Sequence, residues 1–463
     1  MSKHKLGVCV PYRNREAHLN EFIPKVAKYL KSKDIDFQMY FAHQDDDKLF
    51  NRGATKNIAA EWAFKEGCDY IVWHDIDMIP VDNGGADYSF PKEHPRHIAT
   101  KISQMDWKLK YHEYFGGAVL FSKEHALQTN GYSNNYWDWG MEDDDLFWRC
   151  HIEGLTNDTY LTEFKEHKYY RFNGKTSKLK IPFQRKYRGI TGDSHTVSIL
   201  CKCYHKLEEN NIFLIGDKNN KYVEYPIFRI PGWEYGISFN NSRAVSLQYW
   251  NTFNQHNYMW IKRYDKQWTW ITVVFNAKEK TSHFYINGTE ADSKAGHGSP
   301  SPHRFLGKLK KYNREDWWFG HSITKDTYFK GDIAKAYVWD RDLQPGEVED
   351  LHINIPNDYI YNLEEDFGEG VDLHEITEDF KVPNSIIPHR VEGKLRCLPH
   401  KDEGLVNGSW AKGETTAANE RRYVLQMQQN KLNHKQDGLN TLKYNLKSVD
   451  QLTPFAKMIN ITL

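Results

Sequence analysis

The chain has 463 residues, with 62 Lys plus Arg set against 62 Asp plus Glu. That length predicts two to four domains, and the charge balance excludes a polycationic surface built for nucleic acid or an anionic membrane. The 15 Trp and 28 Tyr suit β-rich domains and carbohydrate contact. Residues 6–160 alternate strand-like and helix-like patterns. LGVCV from Leu6 is an apolar strand, and Glu16 to Lys31 places Leu19, Phe22, Ile23, Val26 and Leu30 at helical spacing. DFQMYFAH from Asp36 predicts a second strand, Ala54 to Phe64 a second helix, and YIVWHDID from Tyr70 a buried strand running into acids. This βαβαβ order implies a mainly parallel sheet, with ligands beyond the carboxyl ends of its strands.

From Tyr169 the texture changes to short strands: YRFNGKTSKLKIPF, HTVSILCKCY, EYGISFNN, WTWITVVFNA, SHFYING and KGDIAKAYVWDRDL. Turn signals such as Asn287-Gly288 separate them, which predicts an all-β sandwich. The expected boundaries are 1–165 for the first part of the α/β domain, 168–355 for the sandwich, 356–389 for a polar, acidic return linker and 390–463 for the rest of the α/β domain. The last block predicts a helix over 417–433 and strands in DGLNTLKYNL and MINITL; it is too short to fold alone. Six scattered cysteines exclude a disulfide scaffold, and Cys201 and Cys203 alternate along a strand as two buried thiols. With no leader before LGVCV and no apolar run of membrane length, the expectation is a soluble, cytoplasmic chain without a membrane anchor; the sequons at Asn157 and Asn287 then read as chance.

Three constellations carry chemistry. NNYWDWGMEDDDLFWRC, residues 134–150, sets Glu142 to Asp145 against Tyr136, Trp137 and Trp139. The plain reading is acids in the first turn of a helix; the sharper one is a sugar site, with rings packing on the sugar and a carboxylate taking a hydroxyl proton. In HDID, two aspartates at a strand end could hold a divalent cation and a nucleotide, or simply form an acidic turn. PYRNR and FNRG offer Arg13, Arg15 and Arg52 to phosphates and Tyr12 and Phe50 to a base, against solvated basic loops. Gly116-Gly117 in EYFGGAVLF lets a ligand approach the backbone, or marks a bend.

Taken in order, VPYRNREAHL, FNRG, WHDIDMIP and YFGGAVLFSKEHALQTNGYSNNYWDWGMEDDD resemble the inverting β-1,4-galactosyltransferases of the GT-A fold. The tail DGLNTLKYNL…NITL is similar to that family's closing strands, so the sandwich is read as an insertion, itself resembling the laminin-G or concanavalin A-like jelly roll. The resemblance implies galactose transfer from UDP-galactose to a GlcNAc- or xylose-terminated acceptor, with Mn²⁺ or Mg²⁺. HDIDMIP, SFPKEHPRHIA and GLNTLKY lean toward the xylose branch. It assigns Asp77 to the metal, Asp75 to metal support or ribose, and Pro11, Tyr12, Arg13, Arg15, Phe50, Arg52, Gly116 and Gly117 to the donor pocket. Tyr114 would favour galactose over N-acetylgalactosamine, Trp139 would close over the substrates, Glu142 would bind acceptor, and Asp143 would be the base. RCLPHKDEG looks like the element supplying the other metal ligands, His400 and Cys397, with His167 a rival; Cys is soft for Mn²⁺. Met141 departs from the family pattern. The alternatives are a UDP-GalNAc or UDP-glucose transferase of the same fold, and a glycan-binding protein with an inactive transferase domain, the sandwich touching glycan or serving as a spacer.

Overall fold

The computed structural model describes residues 4–82, 85–109, 114–137, 140–189, 194–204, 224–230, 235–240, 244–250, 256–262, 267–290, 303–304, 316–322, 327–399 and 434–463. The chain divides into two compact units, Met1–Asn157 with Ile386–Leu463, and Asp158–Ser385. The expected α/β sheet and all-β sandwich are both present, but the α/β sheet is mixed, with a parallel centre between antiparallel margins, rather than mainly parallel.

The first unit begins with β1 (Lys5–Tyr12), α1 (Glu16–Ser32), β2 (Asp36–Gln44), α2 (Arg52–Lys65), β3 (Tyr70–His74) and β4 (Met78–Pro80). It continues with β5 (Arg96–His97), β6 (Lys101–Ile102), β7 (Ala118–Ser122), α3 (Lys123–Gln128) and α4 (Glu142–Ile152). Its sheet runs Asn445–Thr453, Ala456–Thr462, β2, β1, β3, β7, β5. The four strands Ala456–Thr462, β2, β1 and β3 are parallel, and the flanking pairs are antiparallel. A strand in the middle of a covered parallel sheet is buried on both faces, which is why Leu6, Val8, Cys9 and Val10 form an unbroken apolar run. The helix α2 packs closely on this layer: a Cβ at Gly7 would lie 2.6 Å from the Ala63 Cβ. Asn51 caps α2 by accepting from the Ala54 amide at 2.9 Å.

The returning segment completes this unit. Lys394–Cys397 forms a small sheet, antiparallel to β4 and parallel to β6. DGLNTLKYNL differs from expectation, since Leu439–Thr441 is a 3₁₀ turn and strand begins only at Asn445. The helix expected over 417–433 falls outside the described residues.

In the second unit, two antiparallel sheets face one another. Among the described residues one has nine strands, including Asn157–Asn173, His195–Cys203, Thr269–Asn276 and Lys330–Trp339; the other has seven, including Lys178–Ile181, Tyr235–Asn240 and Trp317–Phe319. Alternation along His195–Cys203 sends Val197, Ile199, Cys201 and Cys203 into the inter-sheet core beside Ile271, Trp317 and Phe319. Leu200 faces a second core with Trp270, Trp339 and Phe380, so much of the aromatic wealth is packing. Residues 356–389, read from sequence as a return linker, carry strand instead: Tyr361–Asn362 pairs with Lys330–Trp339, and His374–Ile387 is an edge strand of the nine-stranded sheet. Its outer face is polar because an edge strand there meets water. None of the six cysteines forms a disulfide.

Candidate active site

Three elements of the first unit deliver charge to one place. The β3 strand ends at His74, so Asp75 follows it at the carboxyl edge; the Asp75 amide donates to the Gly117 carbonyl at 2.8 Å. The first turn of α2 supplies Arg52 and, one turn later, Lys56. The first turn of α4 supplies Glu142 and Asp143, after Met141 turns the chain through a left-handed conformation (φ 74°). EDDD is therefore the start of a helix and part of a site as well.

The contacts are dense. One Arg52 nitrogen meets Asp75 Oδ2 at 2.8 Å and another meets Glu142 Oε1 at 2.9 Å. The Lys56 ammonium lies 3.3 Å from Asp75 Oδ1 and 3.3 Å from Asp143 Oδ1, and donates to the Tyr132 hydroxyl at 3.1 Å. Tyr132 in turn donates to Asp143 Oδ1 at 3.0 Å. The other Asp143 oxygen, Oδ2, sits over Gly116, where an added Cβ would lie 2.6 Å from it and 3.0 Å from the Tyr114 hydroxyl. Gly117 has φ +81°, and the His97 ring holds the Gly116 carbonyl at 2.9 Å. The glycine pair thus leaves open the space that carboxylate and phenol border.

Electrostatics follow from burial against pairing. Burial alone would raise the Asp75 carboxyl, but Arg52 and Lys56 hold it down at about 2. Glu142 goes the other way: burial, reinforced by Asp143 beside it, outweighs Arg52 and lifts it above the usual carboxylate range. Burial opposes the charge on Lys56, yet Asp143 and Asp75 hold it above the usual ammonium range. The Tyr114 phenol is pushed well up by burial and by the charges of Asp143 and Asp75.

A second cluster forms where the returning strand meets β4. The Asp77 carbonyl accepts from the Leu398 amide at 2.7 Å, and Cys397 Sγ lies 3.6 Å from Asp77 Oδ2. Burial and the Asp77 charge push this thiol up to about 12. His18 contacts the Pro399 carbonyl at 3.2 Å, which seats the end of this strand on α1. His400 lies outside the described residues, as does Trp139. Among the described residues no group of three His, Cys, Asp or Glu side chains converges for a metal. The donor set fits a divalent cation in part, with one hard carboxylate from the turn before β4 and one soft sulfur from a strand 320 residues away. The rival His167 is in the second unit, 3.7 Å from Glu364 and edge-on to Phe380.

Of the other residues expected at the donor pocket, Pro11 and Tyr12 are buried at the end of β1, with Tyr12 edge-on to His43 at 5.1 Å. Arg13 donates to the Lys48 carbonyl at 2.6 Å and to the Asp46 carbonyl, so its guanidinium braces that loop. Arg15 sits at the N-cap of α1, close enough to Cys397 for its charge to oppose the thiol's rise, and Phe50 is half-buried before α2. Sequence reasoning missed Lys56, Tyr132 and His97. The available signal for Lys56 was its position four residues after Arg52, on one helix face.

The last two acids of EDDD differ from the first two. Asp145 pairs with Arg149 at 2.7 Å, both fully buried, and Arg149 also reaches the Gly131 carbonyl (3.2 Å) and the Asp437 carbonyl (2.6 Å). Asp437 accepts from the Asn134 amide at 2.9 Å and from Ser133. This network ties α4 and the loop before it to the tail.

Three stretches of the chain match family profiles. Residues 1–88 match the N-terminal region of glycosyl transferase group 7, residues 96–175 match a galactosyltransferase domain, and residues 173–349 match the concanavalin A-like lectin/glucanases superfamily. The resemblance read from VPYRNREAHL onward is thus borne out, as is the concanavalin-like character of the intervening block. Among particular relatives, mouse β-1,4-galactosyltransferase 1 is 37% identical over 158 residues, covering 34% of this chain and 39% of the relative. The xylosylprotein 4-β-galactosyltransferase of Caenorhabditis elegans is 35% identical over 167 residues, 34% of this chain and 57% of the relative. A solved Drosophila β-1,4-galactosyltransferase 7 mutant in complex with manganese, UDP-Gal and xylobiose is 33% identical, covering 33% of this chain and 63% of that one, with a TM-score of 0.30. The chain spans only 39% to 44% of the first curated relatives it matches. Among the described residues, no helix is long and apolar enough to cross a membrane.

Proposed function

We propose that the first unit is an inverting, metal-dependent galactosyltransferase that moves galactose from UDP-galactose to a sugar hydroxyl, forming a β-1,4 linkage. The observation that carries this reading is Asp143 Oδ2 poised over Gly116 beside the Tyr114 hydroxyl, one ammonium away from Asp75. Inversion needs a base on the face of the donor sugar opposite the leaving group. Asp143 is that base: Oδ2 takes the acceptor hydroxyl proton while the oxygen attacks the anomeric carbon and the bond to UDP breaks. Asp75 and Arg52 orient the nucleotide, and Glu142, held by Arg52, binds acceptor hydroxyls. Tyr114 limits the space beside the donor's second carbon and so favours galactose. Asp77, Cys397 and His400 would hold the divalent cation, whose contribution is to neutralise the departing diphosphate. The relatives' names support galactose as the sugar moved, and the name of the nematode relative adds weight to a xylose-ended acceptor.

The test is a glycan-acceptor screen with UDP-galactose and Mn²⁺, read by mass, with UDP-GalNAc and UDP-glucose as competing donors. Expected is a single hexose added to a xylose- or GlcNAc-ended acceptor. Asp143→Asn should lower turnover by about 10²- to 10⁴-fold while UDP still binds. Turnover in that variant comparable to the unaltered chain would remove Asp143 from the mechanism; glycan binding without transfer would favour the lectin-like alternative.

A further inference from the structure

Lys56 is a buried ammonium that no part of the mechanism above uses. It is 1% exposed, on a helix whose Arg52 already serves the nucleotide side. A buried ammonium is costly unless its donors find acceptors, and an exposed helix face would have been the cheap location for it. Here the acceptors are one carboxylate from β3's end, one from α4, and a phenol. The first two have opposite roles, since Asp75 faces the nucleotide and Asp143 the acceptor. Because Lys56 and Tyr132 both engage Asp143 Oδ1, the carboxylate is pinned by one oxygen and presents the other over Gly116. Trp73 fixes the backbone beneath, its indole donating to the Lys56 carbonyl at 3.0 Å and its ring meeting Tyr132 edge-on.

We infer that Lys56 is a positioning residue that ties the donor-side and acceptor-side carboxylates together and selects Oδ2 of Asp143 as the proton-accepting atom. This rests on reading Asp143 as the base. The groups facing Asp143 are Lys56 and Arg52 from α2, Glu142 beside it on α4, Tyr132 from the loop before α4, Tyr114 from the strand approach, and Asp75 across Lys56. Of the two cations, Arg52 is committed to Asp75 and Glu142, so Lys56 is the one in contact with Asp143. Lys56 does not itself exchange a proton in the step. It remains an ammonium while the hydroxyl proton moves to Oδ2 and the electron pair of the broken bond leaves with UDP.

The test compares the unaltered chain with Lys56→Met, Lys56→Gln and Lys56→Arg. In Lys56→Met the loss should fall on kcat, by at least about tenfold, with KM for UDP-galactose changed little. Lys56→Arg, which keeps the charge and its donors, should restore much of kcat. An unchanged kcat in a folded Lys56→Met protein, or a loss that falls on KM alone, would overturn the inference, leaving Lys56 a merely structural residue. If Lys56→Met does not fold, Lys56→Gln keeps a donor, drops only the charge, and must show the same fall in kcat. If the unaltered chain transfers no galactose, the proposed function fails, while a crystal structure of the Lys56 variant, showing whether Asp143 Oδ2 still lies over Gly116, decides on Lys56.

Discussion

The two units of this chain handle buried charge in opposite ways. The first sinks Arg149 with Asp145, and Lys56 between two carboxylates, into places water does not reach. Among the described residues of the second unit the inter-sheet core is built of apolar side chains, and the buried carboxylate of Asp332 is paired with an arginine that remains 43% exposed. A scaffold can be held by hydrophobic burial alone, whereas a buried polar cluster needs charged groups of fixed orientation. In the first unit each of these charges has an opposite one within contact distance.

The comparison can be broken most forcefully at its two arginines. Arg149→Met leaves Asp145 buried without its partner and should cost the first unit about 3–5 kcal/mol of stability, read from its urea unfolding midpoint. Arg171→Met in the second unit should cost less, because Arg171 is itself half in solvent and the Tyr204 hydroxyl still donates to the buried Asp332 at 2.8 Å. Equal losses would refute the contrast.

A pH scan sharpens it further. Burial holds His97 down at about 3 and His74 at about 4, so both are neutral in the folded chain at pH values where the unfolded chain protonates them. The unfolded state therefore binds more protons below about pH 6.5, and stability should fall as pH drops from there toward 4, by roughly 1.4 kcal/mol per unit for each group. His97→Gln should flatten that slope in the first unit, measured by unfolding at stepped pH; an unchanged slope would show that these imidazoles do not matter. The smallest effect concerns Cys397. Cd²⁺ should give a sulfur-to-metal charge-transfer band that is absent in Cys397→Ser, and the substitution should weaken Cd²⁺ binding about tenfold or more while affecting Mn²⁺ less. No band in the unaltered chain would take Cys397 out of the coordination sphere.

What could be read beforehand divides along the same physical line. LGVCV and YIVWH declare themselves, since strands covered on both faces must be apolar throughout. The strand Asn445–Thr453 gives no such signal: all but its last residue are exposed, and its order comes from pairing with Ala456–Thr462. The same holds for His374–Ile387, whose polar letters suggested a linker. At the site, residue types and their order pointed to Asp75, Asp143 and Gly116, yet nothing in EDDD separates Asp143, which faces the opening, from Asp145, which is locked to Arg149. Helical phase could suggest the division, but the partners that decide it, Gly131 and Asp437, are remote in sequence. Lys56 was hidden because a lysine on a helix is ordinarily a solvated one.

The order of strands has a consequence for how the molecule comes into being. Ala456–Thr462 closes the parallel sheet against β2, and Lys394–Cys397 brings Cys397 to Asp77, so neither can be in place until the ribosome has passed well beyond the sandwich. The intervening unit holds all its own strands by then and can fold as a block, as domains do during synthesis. Until the tail arrives, β2 is an open edge and Asp77 lacks the strand that brings Cys397 beside it. The Asp77 cluster is therefore among the last parts of the first unit that the nascent polypeptide completes.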